Sequence, residues 1–158
     1  MAQPTHITPE GSLTMVDVGA KPSTERFARA RARVRMSAAT EDALRAATLP
    51  KGDAFVAAQL GGIMAAKATA SLIPLAHPLP LASVEVTFAW LERGLLQIEA
   101  SAHTTAQTGV EMEALTAATI AALVMYDMCK ALERGIVIES VRLMEKRGGA
   151  HGDWLAPE

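Results

Sequence analysis

Groups able to move protons or hold anions cluster at a few points of the sequence. Asp127 and Lys130 stand three residues apart near the end of a long apolar run, so on a helix a carboxylate and an ammonium share one face. On spacing alone they form either an ion pair that complements the helix dipole or an acid and base pair beside a hydrophobic core. Glu111 and Glu113 open the same run. Glu113 and Asp127 are separated by close to four helical turns, which puts both near one stripe but about 21 Å apart. One small substrate cannot span that distance within one chain. If both carboxylates act, they belong to separate parts of a site, or a neighbouring subunit supplies one of them.

His77 sits among Pro74, Pro78 and Pro80, whose rings fix φ and remove amide donors, so the imidazole is carried on a stiff loop. It reads either as a turn-capping side chain or as a group for binding or proton transfer. Lys51, Lys67, Lys130 and Lys146 fall at element ends or on otherwise uncharged helices, as phosphate contacts or as solvated side chains. Arg29, Arg31, Arg33 and Arg35 alternate with alanine and valine and read as the solvated face of an edge strand. Cys129, the one cysteine, reads as a small buried hydrophobe. His6, His77, His103 and His151 show no metal-ligand spacing, so no metal site is expected. The nucleotide-binding glycine signatures of the P-loop and the dinucleotide fold are missing as well.

The elements that carry these groups follow from periodicity. Residues 1–24, with Pro4, Pro9, Gly11, Gly19 and Pro22, read as an extended lead-in. A period of two over 28–36 predicts a strand, and Ser37 with Glu41 and Asp42 a short helix closed by Pro50-Lys51-Gly52. Asp53 is placed to cap a long alanine-rich helix running to about Ile73. Val84, Val86 and Phe88, a turn at Arg93-Gly94, and Leu95 to Thr105 predict a β-hairpin. A second apolar helix is expected from Val110 to about Leu132 with Gly135 as its stop, then a strand over 136–146 and a loose tail over 148–158. This order predicts one α+β domain over 1–158, ferredoxin-like, with helices packed on one face of an antiparallel sheet.

Half of the 158 residues are apolar while only 4% are aromatic, so the core must rely on close approach of small side chains, and self-association is expected. A net charge of −2 offers no overall pull toward nucleic acid or anionic membrane. The most hydrophobic stretch, Ala114 to Tyr126, is 13 residues without a charge, shorter than the roughly 20 residues that span a bilayer, and the expected location is the cytoplasm.

Longer strings narrow the reading. Met15-Val16-Asp17-Val18, Lys51-Gly52-Asp53, Leu72-Ile73-Pro74-Leu75-Ala76-His77-Pro78-Leu79, Thr108-Gly109-Val110-Glu111-Met112-Glu113-Ala114-Leu115-Thr116-Ala117 and Tyr126-Asp127-Met128-Cys129-Lys130-Ala131 resemble, in order and spacing, the cyclic pyranopterin monophosphate synthases, the molybdenum cofactor biosynthesis protein C family. The resemblance implies a lyase that rearranges a cyclised dihydro-GTP (3',8-cyclo-7,8-dihydro-GTP), still bearing its triphosphate, to cyclic pyranopterin monophosphate with release of pyrophosphate. It implies a homohexamer, a trimer of dimers with active sites between subunits. No resident cofactor is implied beyond Mg2+ accompanying the triphosphate or pyrophosphate.

Matched residue by residue, the family pattern makes Asp127, Lys51 and Lys130 catalytic. It assigns substrate binding to Leu75, Ala76, His77, Met112, Glu113 and Lys146, with Lys67, Glu111, Asp17, Lys21 and Arg26 at further matching polar positions. Crowding of ammonium groups at one site is expected to lower a lysine's pKa. The chain departs from the pattern at Gln59, Ala76, Ala106-Gln107 and Ala150, and the missing basic side chains at Gln59 and Gln107 predict weaker anion binding. Two alternatives stand beside the cyclase: a non-catalytic hexameric binding or assembly protein of the same fold, and an enzyme acting on a related purine or pterin phosphate.

Overall fold

Alternating small apolar and arginine side chains make Thr24–Arg35 a strand, β1, whose Ala28, Ala30, Ala32 and Val34 are wholly buried on one face. The computed structural model describes residues 6–157, so the first five residues of the expected lead-in and the last of the tail lie outside the described residues. After β1 come α1 (Ala38–Arg45), α2 (Ala54–Lys67), a short α3 (Thr69–Leu72), the hairpin β2 (Ser83–Glu92) and β3 (Leu95–Ala106), α4 (Glu111–Cys129), β4 (Val137–Arg147) and β5 (Trp154–Leu155). The strands form one antiparallel sheet in the order β2-β3-β1-β4-β5. α4 and α2 cover its alanine-rich face. The α+β, ferredoxin-like arrangement expected from the element order is the one observed.

Caps act where the sequence places them. Ser37 Oγ accepts from the Thr40 amide at the start of α1, and Asp53 Oδ1 accepts from the amides of Phe55 and Val56 at the start of α2. Small residues let α2 and α4 meet closely. A methyl group on Gly62 would stand 3.0 Å from the Ala117 carbonyl oxygen and 3.0 Å from Val86, so the helix backbone itself is part of the packing surface. Gly62→Val is therefore expected to lower stability by about 1–3 kcal/mol, read as a smaller midpoint at unchanged slope in urea unfolding. α4 is long and apolar enough to cross a membrane by length and composition, yet about half of it is buried against the sheet and α2.

Four expectations are corrected. β1 is a central strand, and its arginines are not a solvated edge. Register sets Arg31 opposite Glu99 and Arg29 opposite Glu145, so the open face of the sheet is laced with ion pairs: Arg31 to Glu99 at 2.8 Å, Arg29 to Glu99 and to Glu145 at 3.2 Å, and Arg35 to Glu92 at 3.1 Å. The helix expected to reach Ile73 breaks at Ala68, beyond which only the four residues of α3 are helical. α4 stops at Cys129, well short of Gly135, because the chain turns at Lys130 and Tyr126 Oη donates back to the Arg134 carbonyl at 3.0 Å. The tail is not loose. Asp153 accepts from the Gly148 amide at 2.9 Å, and Trp154 and Leu155 pair with Lys146 and Glu145.

Candidate active site

α2 and α4 run antiparallel, and the chemistry expected from the sequence gathers at the two ends of α4. At its C-terminal end the Asp127 carboxylate is held from two sides. Lys130 Nζ lies 2.7 Å from Oδ1, and Lys51 Nζ donates to Oδ2 at 2.7 Å and to the Asp127 backbone carbonyl at 3.1 Å. Lys130 follows from helical spacing, whereas Lys51 arrives from the turn between α1 and α2, where Gly52 takes a φ of 93°. The ammonium of Lys130, then that of Lys51, hold the Asp127 carboxyl down at about 2. Asp127 in turn raises Lys130, which is the reverse of the lowering expected from crowded cations: a carboxylate stands between the two lysines, so each meets an opposite charge. The three groups make an exposed proton-handling and anion-stabilising triad.

The N-terminal end of α4 holds two adjoining cavities. The larger, about 550 Å³, is lined by Lys21, Arg26, Gln107, Glu111, Lys146 and His151 among others. Its lining sets three cationic side chains, Lys21, Arg26 and Lys146, against one carboxylate, Glu111, an excess of positive charge that suits an anion. Arg26 donates to the Gln107 carbonyl at 3.3 Å, while its Nε is buried with no hydrogen-bond partner among the described residues, leaving a desolvated donor at the cavity wall. Gly149 has a φ of 89°, and any side chain there would collide with the Arg26 guanidinium. The glycine pair thus lets the chain after β4 pass close over Arg26 and brings His151 to the cavity.

The second cavity, about 310 Å³, is lined by Ala76, His77, Leu79, Met112 and Glu113 and shares Thr108, Gly109 and Glu111 with the first. His77 Nε2 donates to the Val16 carbonyl at 2.7 Å, which ties the lead-in to the proline loop and leaves Nδ1 as the free ring nitrogen. Glu113 is buried, and this burial raises its pKa, with Glu111 adding to the rise. A carboxyl raised in the fold costs stability as pH climbs through its folded value, because the unfolded chain ionises it more readily. Glu113→Gln is expected to gain thermal stability over the unchanged protein at pH 8 and to lose that advantage at pH 4, a comparison calorimetry settles.

The remaining site candidates are placed apart. Asp17 spends its carboxylate on the Gly19 amide at 2.8 Å and lines neither cavity. Leu75 is half-buried in the proline loop and also lines neither. Lys67 ends α2, whose antiparallel course puts it toward the Glu111 end of α4. Gln59, where the family pattern carries a basic residue, donates to the Val86 carbonyl at 2.9 Å and fastens α2 to β2. Sequence reasoning did not single out Thr24, Thr108 or His151 as lining residues. For His151 the signal was the Gly148-Gly149 pair, which reads equally well as the start of a loose tail.

Comparison with known proteins shows the family of the chain. The MoaC family matches residues 15–149. The chain is 53% identical over 154 residues to a cyclic pyranopterin monophosphate synthase of Novosphingobium aromaticivorans, covering 98% of each protein. It is 53% identical over 154 residues to the enzyme of that name from Herpetosiphon aurantiacus, covering 97% of this chain and 94% of the relative. With the one from Nostoc sp. identity is 54% over 155 residues, covering 97% and 92%.

Proposed function

The chain belongs to the MoaC family, and from that premise we propose that it is a cyclic pyranopterin monophosphate synthase. It is a lyase of molybdenum cofactor biosynthesis whose substrate is the cyclised dihydro-GTP. The observation that carries the reading is the double lysine grip on Asp127, a geometry that suits proton transfer and charge stabilisation without a covalent nucleophile. The cationic cavity of Lys21, Arg26 and Lys146 takes the triphosphate. When a sugar hydroxyl attacks the α-phosphorus, one phosphorus–oxygen bond forms, the bond to the β-phosphate breaks, and pyrophosphate leaves. Its growing charge is met by fixed cations that need no reorganisation.

Rebuilding the purine-derived ring needs protons taken from one atom and returned to another. Asp127, ionised throughout the neutral range, accepts and orients, while Lys130, raised by Asp127, and Lys51 donate or neutralise. Glu113, raised by burial, and His77 are the second proton-carrying pair, at the other end of α4. We assign no resident cofactor; Mg2+ enters with the triphosphate as part of the substrate. The polar groups and the triad occupy opposite ends of one helix, so a complete site joins the two ends from different subunits of a hexamer. Exposed Val56, Leu60 and Met64, spaced four residues apart on α2, give such an assembly an apolar stripe to bury. A cytoplasmic location accords with a GTP-derived substrate.

The test is direct. Purified protein incubated with the cyclised dihydro-GTP should release pyrophosphate and a pterin product together. Binding without turnover identifies a non-catalytic relative, and turnover only of another purine or pterin phosphate identifies a different enzyme.

A further inference from the structure

α1 is an unusual carrier for the loop that delivers Lys51. Of its buried residues Thr40, Glu41 and Leu44, only Leu44 is apolar, so the helix is fastened mainly through polar contacts. One fastening is Glu41, nearly fully buried, which accepts from the Gly94 amide at 2.7 Å and from Arg45 Nε at 2.8 Å. The other comes from outside the helix. Glu133, three residues past Lys130, accepts at Oε2 from the Ser37 amide at 2.9 Å and from Thr40 Oγ1 at 2.6 Å. Its own amide donates to the Cys129 carbonyl at 3.1 Å, which closes the turn that bears Lys130.

The contacts therefore make a closed ring. It runs from Asp127 through Lys130 and its turn to Glu133, across to the first turn of α1, along α1 to Lys51, and back to Asp127. We propose that Glu133 is a positioning residue for the reaction, clipping α1 to the turn after α4 so that Lys51 and Lys130 meet Asp127 from both sides. A carboxylate suits the place because the free amides at the start of a helix favour negative charge and an oxygen acceptor. Burial pushes the Glu133 carboxyl up, and the hydrogen bonds from Thr40 and Ser37 more than offset it, so the clip is intact at neutral pH. A displacement of about 1 Å at reacting groups is enough to cost on the order of 100-fold in rate. The inference rests on the role proposed above for the Asp127 triad.

The experiment compares Glu133→Ala with Glu133→Gln, whose amide oxygen keeps the acceptor. Glu133→Ala is expected to lose about 10- to 100-fold in kcat with KM little changed, since the anion cavity lies at the other end of α4. Glu133→Gln is expected to recover turnover to within a few fold. Crystal structures of the two variants give a reading independent of activity: the Lys51 to Asp127 separation, 2.7 Å here, should open in Glu133→Ala and persist in Glu133→Gln. Should Glu133→Ala not fold, Thr40→Val removes one donor while keeping the side-chain shape, and a smaller change in the same direction is expected.

Wild-type kcat and an unmoved Lys51 in Glu133→Ala overturn the proposal, as does Glu133→Gln behaving like Glu133→Ala. An unmoved Lys51 with unchanged kcat in Thr40→Val overturns it where Glu133→Ala does not fold. If the unchanged protein has no turnover, the proposed function fails instead, and the Lys51 to Asp127 separation in the variants still decides the clip.

Discussion

Asp127→Asn is expected to lower turnover by about 10²- to 10⁴-fold while leaving the fold and the assembly intact. Asparagine has nearly the same shape and can still accept a hydrogen bond from Lys51 or Lys130, but it carries no charge and takes up no proton at ordinary pH. The two ammonium groups then face each other without the anion that separates them, and Lys130 loses the partner that raises its pKa. The fold does not depend on the carboxylate because Asp127 is about half exposed, where screened ion pairs contribute little.

The pH dependence follows with a definite sign. A carboxyl held down at about 2 contributes whatever stability it has above its ordinary value, and loses it only as pH falls toward 2. Between pH 5 and 9 the variant and the unchanged protein should therefore differ in rate and hardly in melting temperature. Product formation and calorimetry on the same preparations check both halves. Turnover near that of the unchanged protein would remove Asp127 from the chemistry.

Two inactive variants are expected to repair each other. If the working site joins the triad end of α4 in one subunit to the cavity end in another, Asp127→Asn and His77→Ala damage different halves of it. Random reassembly of the two as dimers makes half of the dimers mixed, and each mixed dimer holds one intact site and one doubly damaged site. About a quarter of the unchanged protein's activity should then return from an equal mixture denatured and refolded together. Mixing without unfolding, which leaves the subunits unexchanged, should return almost none. Recovery absent from the refolded mixture, with assembly shown intact by light scattering, would mean that each chain completes its own site.

The geometry behind that expectation was partly legible beforehand. The separation of Glu113 from Asp127 along one helix follows from residue count and rise alone, so two half-sites could be inferred without coordinates. So could the pairing of Asp127 with Lys130 and the caps at Ser37 and Asp53, because each is set within four residues of chain. Lys51 could be placed at the site only through resemblance to a family, since it reaches Asp127 across 76 positions of sequence.

Local pattern misled where a partner lay far along the chain. The arginines of β1 alternate as an exposed strand face does, and nothing nearby tells a central strand from an edge strand; their status depends on Glu99 and Glu145, brought alongside by β3 and β4. The segment after Gly148-Gly149 has the composition of a loose tail, yet Asp153 and the pairing of Trp154 with Lys146 fold it back beside the cavity of Lys21, Arg26 and Lys146. The long helices were read past their true ends because apolar periodicity continues through Ala68 and beyond Cys129. Helix ends are decided by where orphan carbonyls find donors, as the Cys129 carbonyl does in the Leu132 and Glu133 amides.

By itself, then, the sequence determined the element order, the class of fold and the spacing of the candidate groups that share a helix, because each depends on periodicity and on contacts between near neighbours. Only the tertiary structure decided which groups distant in the chain face each other. It set Lys51 against Asp127, Glu133 against α1, and Arg26, Lys21 and Lys146 around one cavity. The sign of the shift at Lys130 belongs to that second class: a pKa responds to the charges within a few ångströms, and those come from turns and strands that chain order leaves far apart.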